Sequence, residues 1–265
     1  MDKLIHFAFG SDKLNPNLQY SKLLNFILQY RRLKISKNEE FIPVPTKPNG
    51  ILLNPNHFTL NWNGHISQVM PKTYSKKFGD YAFLPHPVRM ICFIKCKLNS
   101  KEMHHHSIRY GKMGLIFKEE FLQQNGLKKV AYYTNNDIAK DPLLKEYWAL
   151  SRNTKPEDAN RLKELAKEIC LTRKPALQYE DFRSEASTVI SVSDGQISLY
   201  QYDRYEDGYD FRRENEYRIP FTTPDEYMYF EEQDLLGITV PNHKIAKKLS
   251  EYLVGWTKRP EVIIF

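Results

Sequence analysis

The sequence predicts an α+β fold: a mixed, mainly antiparallel sheet with packed helices and a central helical insert. Short runs of β-branched and aromatic residues alternate with segments whose apolar residues recur every three or four positions. Asp194-Gly195 lies between two strand-like runs, a signal for a tight hairpin joining antiparallel strands. No glycine-rich loop follows any strand, so neither a P-loop nor a dinucleotide-binding fingerprint is present. At 265 residues the chain is long enough for a sizeable core, and residues 1–265 read as one domain with the helical insert at 137–171.

Leu4-Ile5-His6-Phe7 opens the first strand, which turns His6 to the face opposite Ile5 and Phe7. Residues 20–28 read as a helix with Leu23, Phe26, Ile27 and Tyr30 on one stripe. Four prolines make residues 41–59 extended or looped, and 79–87 form an aromatic crossing segment. Residues 88–93 are a strand bounded by prolines. Asn99 or Ser100 then caps a helix through His104 to Tyr110, with Glu102 in its first turn and Gly111 at its end. A strand at 113–117, a helix at 119–124 stopped by Asn125-Gly126, and a strand at 129–133 follow.

In the insert, Leu143, Leu144, Tyr147, Trp148 and Leu150 form an apolar face, and Thr154 with Pro156 starts a second helix. Strands return at 189–192, 197–200, 217–219 and 235–240. The chain closes with a helix at 241–256, with Ile245, Leu249, Tyr252 and Leu253 inward, and a strand at 262–265.

Composition narrows the function classes. With 41% hydrophobic and 27% charged residues the chain is an ordinary globular one rather than a disordered one. No apolar run approaches the roughly 18 to 20 residues of a membrane helix, and the first residues lack a signal-peptide pattern. Three cysteines without a disulfide framework suit reduced thiols, so a cytoplasmic protein with no membrane partner is expected. The net charge of +7 suits attraction to nucleic acid or an acidic protein, with basic groups densest at 31–34, 72–77 and 95–101.

Several constellations bear on chemistry. Consecutive helical residues point about 100° apart, so His104, His105 and His106 cannot converge on one ion, and no metal is expected. Cys92 and Cys96 read as small buried hydrophobes. Glu214, Glu216 and Arg218 alternate onto one face if their segment is extended. Two carboxylates beside an arginine can orient a nucleophile or stabilise a cationic transition state, and salt-bridged strands carry the same pattern. His6 becomes a site histidine if that block meets it. Tyr110 stands at a helix end before two glycines that permit a tight turn or close approach. On these residues the strand at 4–7 is expected beside the one carrying Tyr217.

Four blocks carry a family resemblance: Leu4 to Phe7, Met90 to Phe93, His106 to Leu122, and Glu214 to Arg218. In this order they resemble the AbiGi-type abortive-infection family, although Phe93-Ile94-Lys95-Cys96 replaces the family's usual Cys-Phe-Cys-Asp run. The resemblance implies a bacterial antiviral component of the toxin–antitoxin kind, often labelled the antitoxin. A fainter similarity is to ADP-ribosyltransferase-like folds, which set a histidine early, a tyrosine or serine centrally and a glutamate late. It implies Glu216, His6 and Glu214 as catalytic residues, Tyr110 and Arg218 as cofactor-binding residues, and NAD as the cofactor. The alternative is a non-catalytic antitoxin that binds a cognate toxin or nucleic acid through its basic surface. An interaction domain without a pocket is the third reading.

Overall fold

The computed structural model describes residues 2–7, 16–45, 81–133, 135–153, 158–175, 189–193, 196–200 and 211–265. In chain order it contains β1 (Lys3–Phe7), α1 (Pro16–Lys22) continued by a π-helical stretch (Leu23–Leu28), β2 (Arg32–Lys34), β3 (Ser36–Pro45) and β4 (Tyr81–Cys96). Then come α2 (Lys101–Tyr110), β5 (Gly114–Phe117), α3 (Glu119–Gln124), β6 (Lys128–Lys129), β7 (Ala131–Tyr133), α4 (Asn135–Ile138), α5 (Pro142–Asn153) and α6 (Ala159–Thr172). The chain continues through β8 (Arg173–Pro175), β9 (Val189–Ser193), β10 (Gln196–Tyr200), a 3₁₀ turn (Phe211–Glu214), β11 (Glu216–Pro220) and β12 (Tyr227–Tyr229). It ends with β13 (Leu235–Val240), α7 (His243–Tyr252) and β14 (Glu261–Ile264).

The fold is α+β with a mixed, mostly antiparallel sheet. The chain divides into two compact units. The first holds Met1–Lys37, Arg89–Val130 and Arg213–Phe265; the second holds Asn38–Val88 and Ala131–Arg212, including the helical segment 137–171. Among the described residues no helix is long and apolar enough to cross a membrane.

In the first unit the strand order is β14-β13-β5-β1-β4-β11-β6. Only β13 and β14 pair in parallel, across the connection that α7 supplies; the other neighbours are antiparallel. The strand at 4–7, expected beside the one carrying Tyr217, is instead separated from it by β4, which pairs with both.

Register sorts side chains onto two faces. Leu4, Phe93, Leu115, Ile219 and Ile238 join Leu23, Ile27, Leu28, Leu122, Ile245, Leu249 and Leu253 in the larger core. Each such side chain, fully buried, contributes about 1.5–3 kcal/mol. On the other face Ile5, Ile94, Cys96 and Ile116 pack with Met103 of α2. Gly114 lets β1 approach β5 closely, since a Cβ there would stand 2.7 Å from Ile5 Cγ2 and 3.0 Å from Thr239 Oγ1.

Some elements differ from their sequence reading. The helix expected at 20–28 widens into a π-helix, closed by Gln29 N–H donating to Leu24 O at 2.9 Å. The wider turn brings residues four and five apart onto one side, so Leu23, Ile27 and Leu28 are buried while Phe26 and Tyr30 are exposed. Pro85 and Pro87 do not end β4, because a proline's fixed φ suits extended backbone and removes only a donor. The strand expected at 129–133 is two short strands, β6 and β7, which belong to different sheets. The final helix ends at Tyr252, which is exposed, and tightens into a 3₁₀ turn (Leu253–Gly255).

In the second unit β7 and β8 pair in parallel, β9 and β10 pair antiparallel, and β3 pairs with β4. Asp194-Gly195, Thr154 and Pro156 lie outside the described residues. Leu144, Tyr147, Leu165, Ala166, Ile169, Cys170 and Leu171 are buried along α5 and α6. Asp141 fixes the start of α5: its Oδ1 accepts from Leu143 N at 2.9 Å, and its Oδ2 from Arg173 Nε at 2.7 Å.

Candidate functional site

The candidate residues all lie in the first unit: His6 on β1, Tyr110 on α2, Glu214 in the turn before β11, and Glu216 and Arg218 on β11. Ser100 caps this helix by accepting from Met103 N at 3.2 Å, and Gly111 ends it at φ 88°. Met103, His106, Ser107 and Tyr110 follow the helical repeat onto one stripe; the first three are buried and Tyr110 is partly buried. The Phe7, His106 and Tyr110 rings stand 6.1–6.4 Å apart, centre to centre.

Tyr110 reaches the segment before β11, where its hydroxyl donates to Glu214 Oε1 at 3.0 Å. Glu214 is buried, but not as part of an extended run: it closes the 3₁₀ turn, and Asn215 follows at φ 42°. Asparagine tolerates that left-handed conformation better than most residues. Asn215 is held there at both ends, with Nδ2 donating to Lys95 O at 2.7 Å and its own O accepting from Lys95 N at 3.2 Å.

The strand begins at Glu216. Glu216 lies opposite Ile94 and Arg218 opposite Cys92, so both side chains leave the face on which Ile5, Ile94 and α2 pack. Arg218 Nε donates to Glu216 Oε1 at 2.8 Å, with Arg218 at 0% and Glu216 at 5% exposure. The carboxylate is thus held by a guanidinium out of water.

His6 takes the opposite face. Alternation places it with Leu4 against the larger core, and its ring lies 5.7 Å from that of Phe93. Its Nδ1 donates to Cys92 O at 2.9 Å, which fixes the proton on Nδ1. Burial lowers its pKa below the usual value, and the hydrogen bond to Cys92 opposes that only in part. The structure thus brings Tyr110 to Glu214 and Glu216 to Arg218, and does not bring His6 to Glu216.

Sequence reasoning passed over His106 as a partner of Tyr110. The signal was its spacing of four residues from Tyr110, which places two helical side chains on one face. His104 is exposed, and among the described residues no group of His, Cys, Asp or Glu could hold a metal ion. Cys92, Cys96 and Cys170 are thiols; burial, with Asp2 and Glu102 nearby, pushes Cys96 up to about 12. A hollow of about 620 Å³ at the start of α2 is lined by Asn99, Ser100, Lys101, His104, Ile264 and Phe265, and includes none of the five expected site residues.

No protein-family model, no curated protein and no solved structure matches the chain.

Proposed function

We propose that the protein is a non-catalytic, partner-binding component of a bacterial abortive-infection system, acting in the cytoplasm as the antitoxin-type member. Two things support this reading. The four sequence blocks and their order resemble the AbiGi-type family. The observation that carries the choice against catalysis is that Glu216 pairs with buried Arg218 on the sheet face opposite His6. An ADP-ribosyltransferase-like centre needs a carboxylate open to a developing ribose cation and a histidine on the same side of the cleft. In this molecule the same carboxylate braces β11 beneath α2.

The net charge of +7 favours an acidic protein partner or nucleic acid over a small neutral ligand. The NAD-using transferase is the alternative, favoured only by the meeting of Tyr110 and Glu214. Two measurements separate these readings. Plaque counts on a bacterial host carrying the gene and its neighbouring reading frame fall relative to an empty host; unchanged counts across a broad phage panel, with the protein expressed, reject the defence role. Calorimetric titration of the purified protein with millimolar NAD is expected to show no heat of binding. Saturable binding with NAD turnover replaces the non-catalytic reading with the transferase one.

A further inference from the structure

The β2–β12 ribbon buries one face and leaves the other open. Leu33 and Met228 stand opposite each other at 0% and 4% exposure. Alternation therefore turns Arg32, Lys34, Tyr227 and Tyr229 outward, as two cross-strand pairs: Arg32 with Tyr229 and Lys34 with Tyr227. Tyr229 is 63% exposed, and Tyr30, just before the ribbon, 50%. The Arg32 guanidinium carbon lies 3.9 Å from the centre of the Tyr227 ring and 4.5 Å from that of Tyr30.

The two adjacent arginines are used differently. Arg31, at φ 47°, departs from extended backbone and pairs with Glu232 at 2.5 Å and Glu231 at 3.7 Å. These carboxylates come just after β12, beyond Phe230. Arg32 takes part in no ion pair among the described residues, and tyrosine rings hold it in place. A guanidinium held against two rings and without a carboxylate is prepared for an oxygen anion through its outer N–H groups, its Nε being buried. All four outward ribbon positions are basic or aromatic.

We propose that this face, built from Tyr30, Arg32, Lys34, Tyr227 and Tyr229, binds single-stranded nucleic acid. The proposal deepens the partner-binding reading and rests on it. Phosphates meet Arg32 and Lys34, and unpaired bases stack on the open tyrosine faces. A duplex keeps its base faces inside its own stack and so cannot use the rings in this way. An acidic peptide would satisfy the two cations and leave the tyrosines without a partner.

The test is fluorescence anisotropy of the full chain with labelled RNA and DNA single strands of about 12 nucleotides at low salt. Binding to either strand is expected. Tyr229→Ala weakens it about tenfold. Arg32→Gln weakens it and lowers the salt slope by about one. Lys244→Gln removes one exposed charge from α7 and leaves binding unchanged. No binding at low salt overturns the proposal. So does binding that ignores Tyr229→Ala, that falls equally with Lys244→Gln, or that an acidic peptide of equal charge displaces as well as an unlabelled strand does. If these occur while plaque counts still fall, the ribbon proposal fails alone; if the counts do not fall, the defence reading fails.

Discussion

Glu216 and Arg218 leave the same side of β11 two residues apart and form a buried ion pair. Removing one partner of a buried ion pair typically costs about 3–5 kcal/mol. Glu216→Gln is accordingly expected to lower the unfolding free energy by that order, read from urea melts. Replacing both partners, as Glu216→Leu with Arg218→Met, recovers most of it, since apolar pairs of similar volume often match a buried ion pair. His86 gives the second unit a pH dependence. Burial, with Lys167 and Lys163 adding to it, lowers its pKa to about 4, so the folded unit holds it neutral. As pH falls below 6.5 the unfolded chain takes up this proton first, and stability drops until the folded pKa is passed. Melts between pH 7 and about 4 should show a loss on the order of 3 kcal/mol that His86→Leu abolishes. Chemistry-bearing types such as His6 and Glu216 stand out in a sequence. The sheet face each occupies depends on register with β4, and no local pattern states that.

Elements with strong local chemistry are where sequence and structure agree. α2 has its cap at Ser100 and its stop at Gly111, and Asn242 begins α7 by accepting from Ile245 N at 3.0 Å. Ser100→Ala should cost about 1 kcal/mol, measured by thermal melting, because Met103 N loses its acceptor. Gly114→Ala should cost about 1–3 kcal/mol by the same measurement, since its Cβ would overlap Ile5. An unchanged melting temperature for Gly114→Ala would contradict the close approach of β1 to β5. The short β2, β8 and β12 have too few residues to show a period, and tertiary pairing alone makes them strands. The π-helical turn at Leu23–Leu28 escaped for a related reason. Its burial of Leu23, Ile27 and Leu28 follows a repeat wider than that of the α-helix.

Across the whole molecule, the α+β class follows from alternating helical and extended patterns, and those patterns are properties of single segments. The division into two units is not. Each unit is assembled from separated stretches, with 38–88 and 131–212 forming one and the flanking pieces the other. Long-range contacts decide such a division, and periodicity does not record them. The same limit explains the candidate site: Tyr110 meets Glu214 across 104 residues, whereas His6, which shares the expected order along the chain, lies on the other sheet face. In the binding role Glu216 and Arg218 act in the fold, where apolar residues can stand in for the pair, whereas a transferase needs Glu216 for its chemistry. Plaque counts on a host carrying the Glu216→Leu/Arg218→Met double variant with the neighbouring gene separate the two, with melting of the purified variant as the control for folding. The binding role predicts phage restriction equal to that of the wild type from a folded variant. Loss of restriction by about a hundredfold or more, with the fold intact, would contradict it.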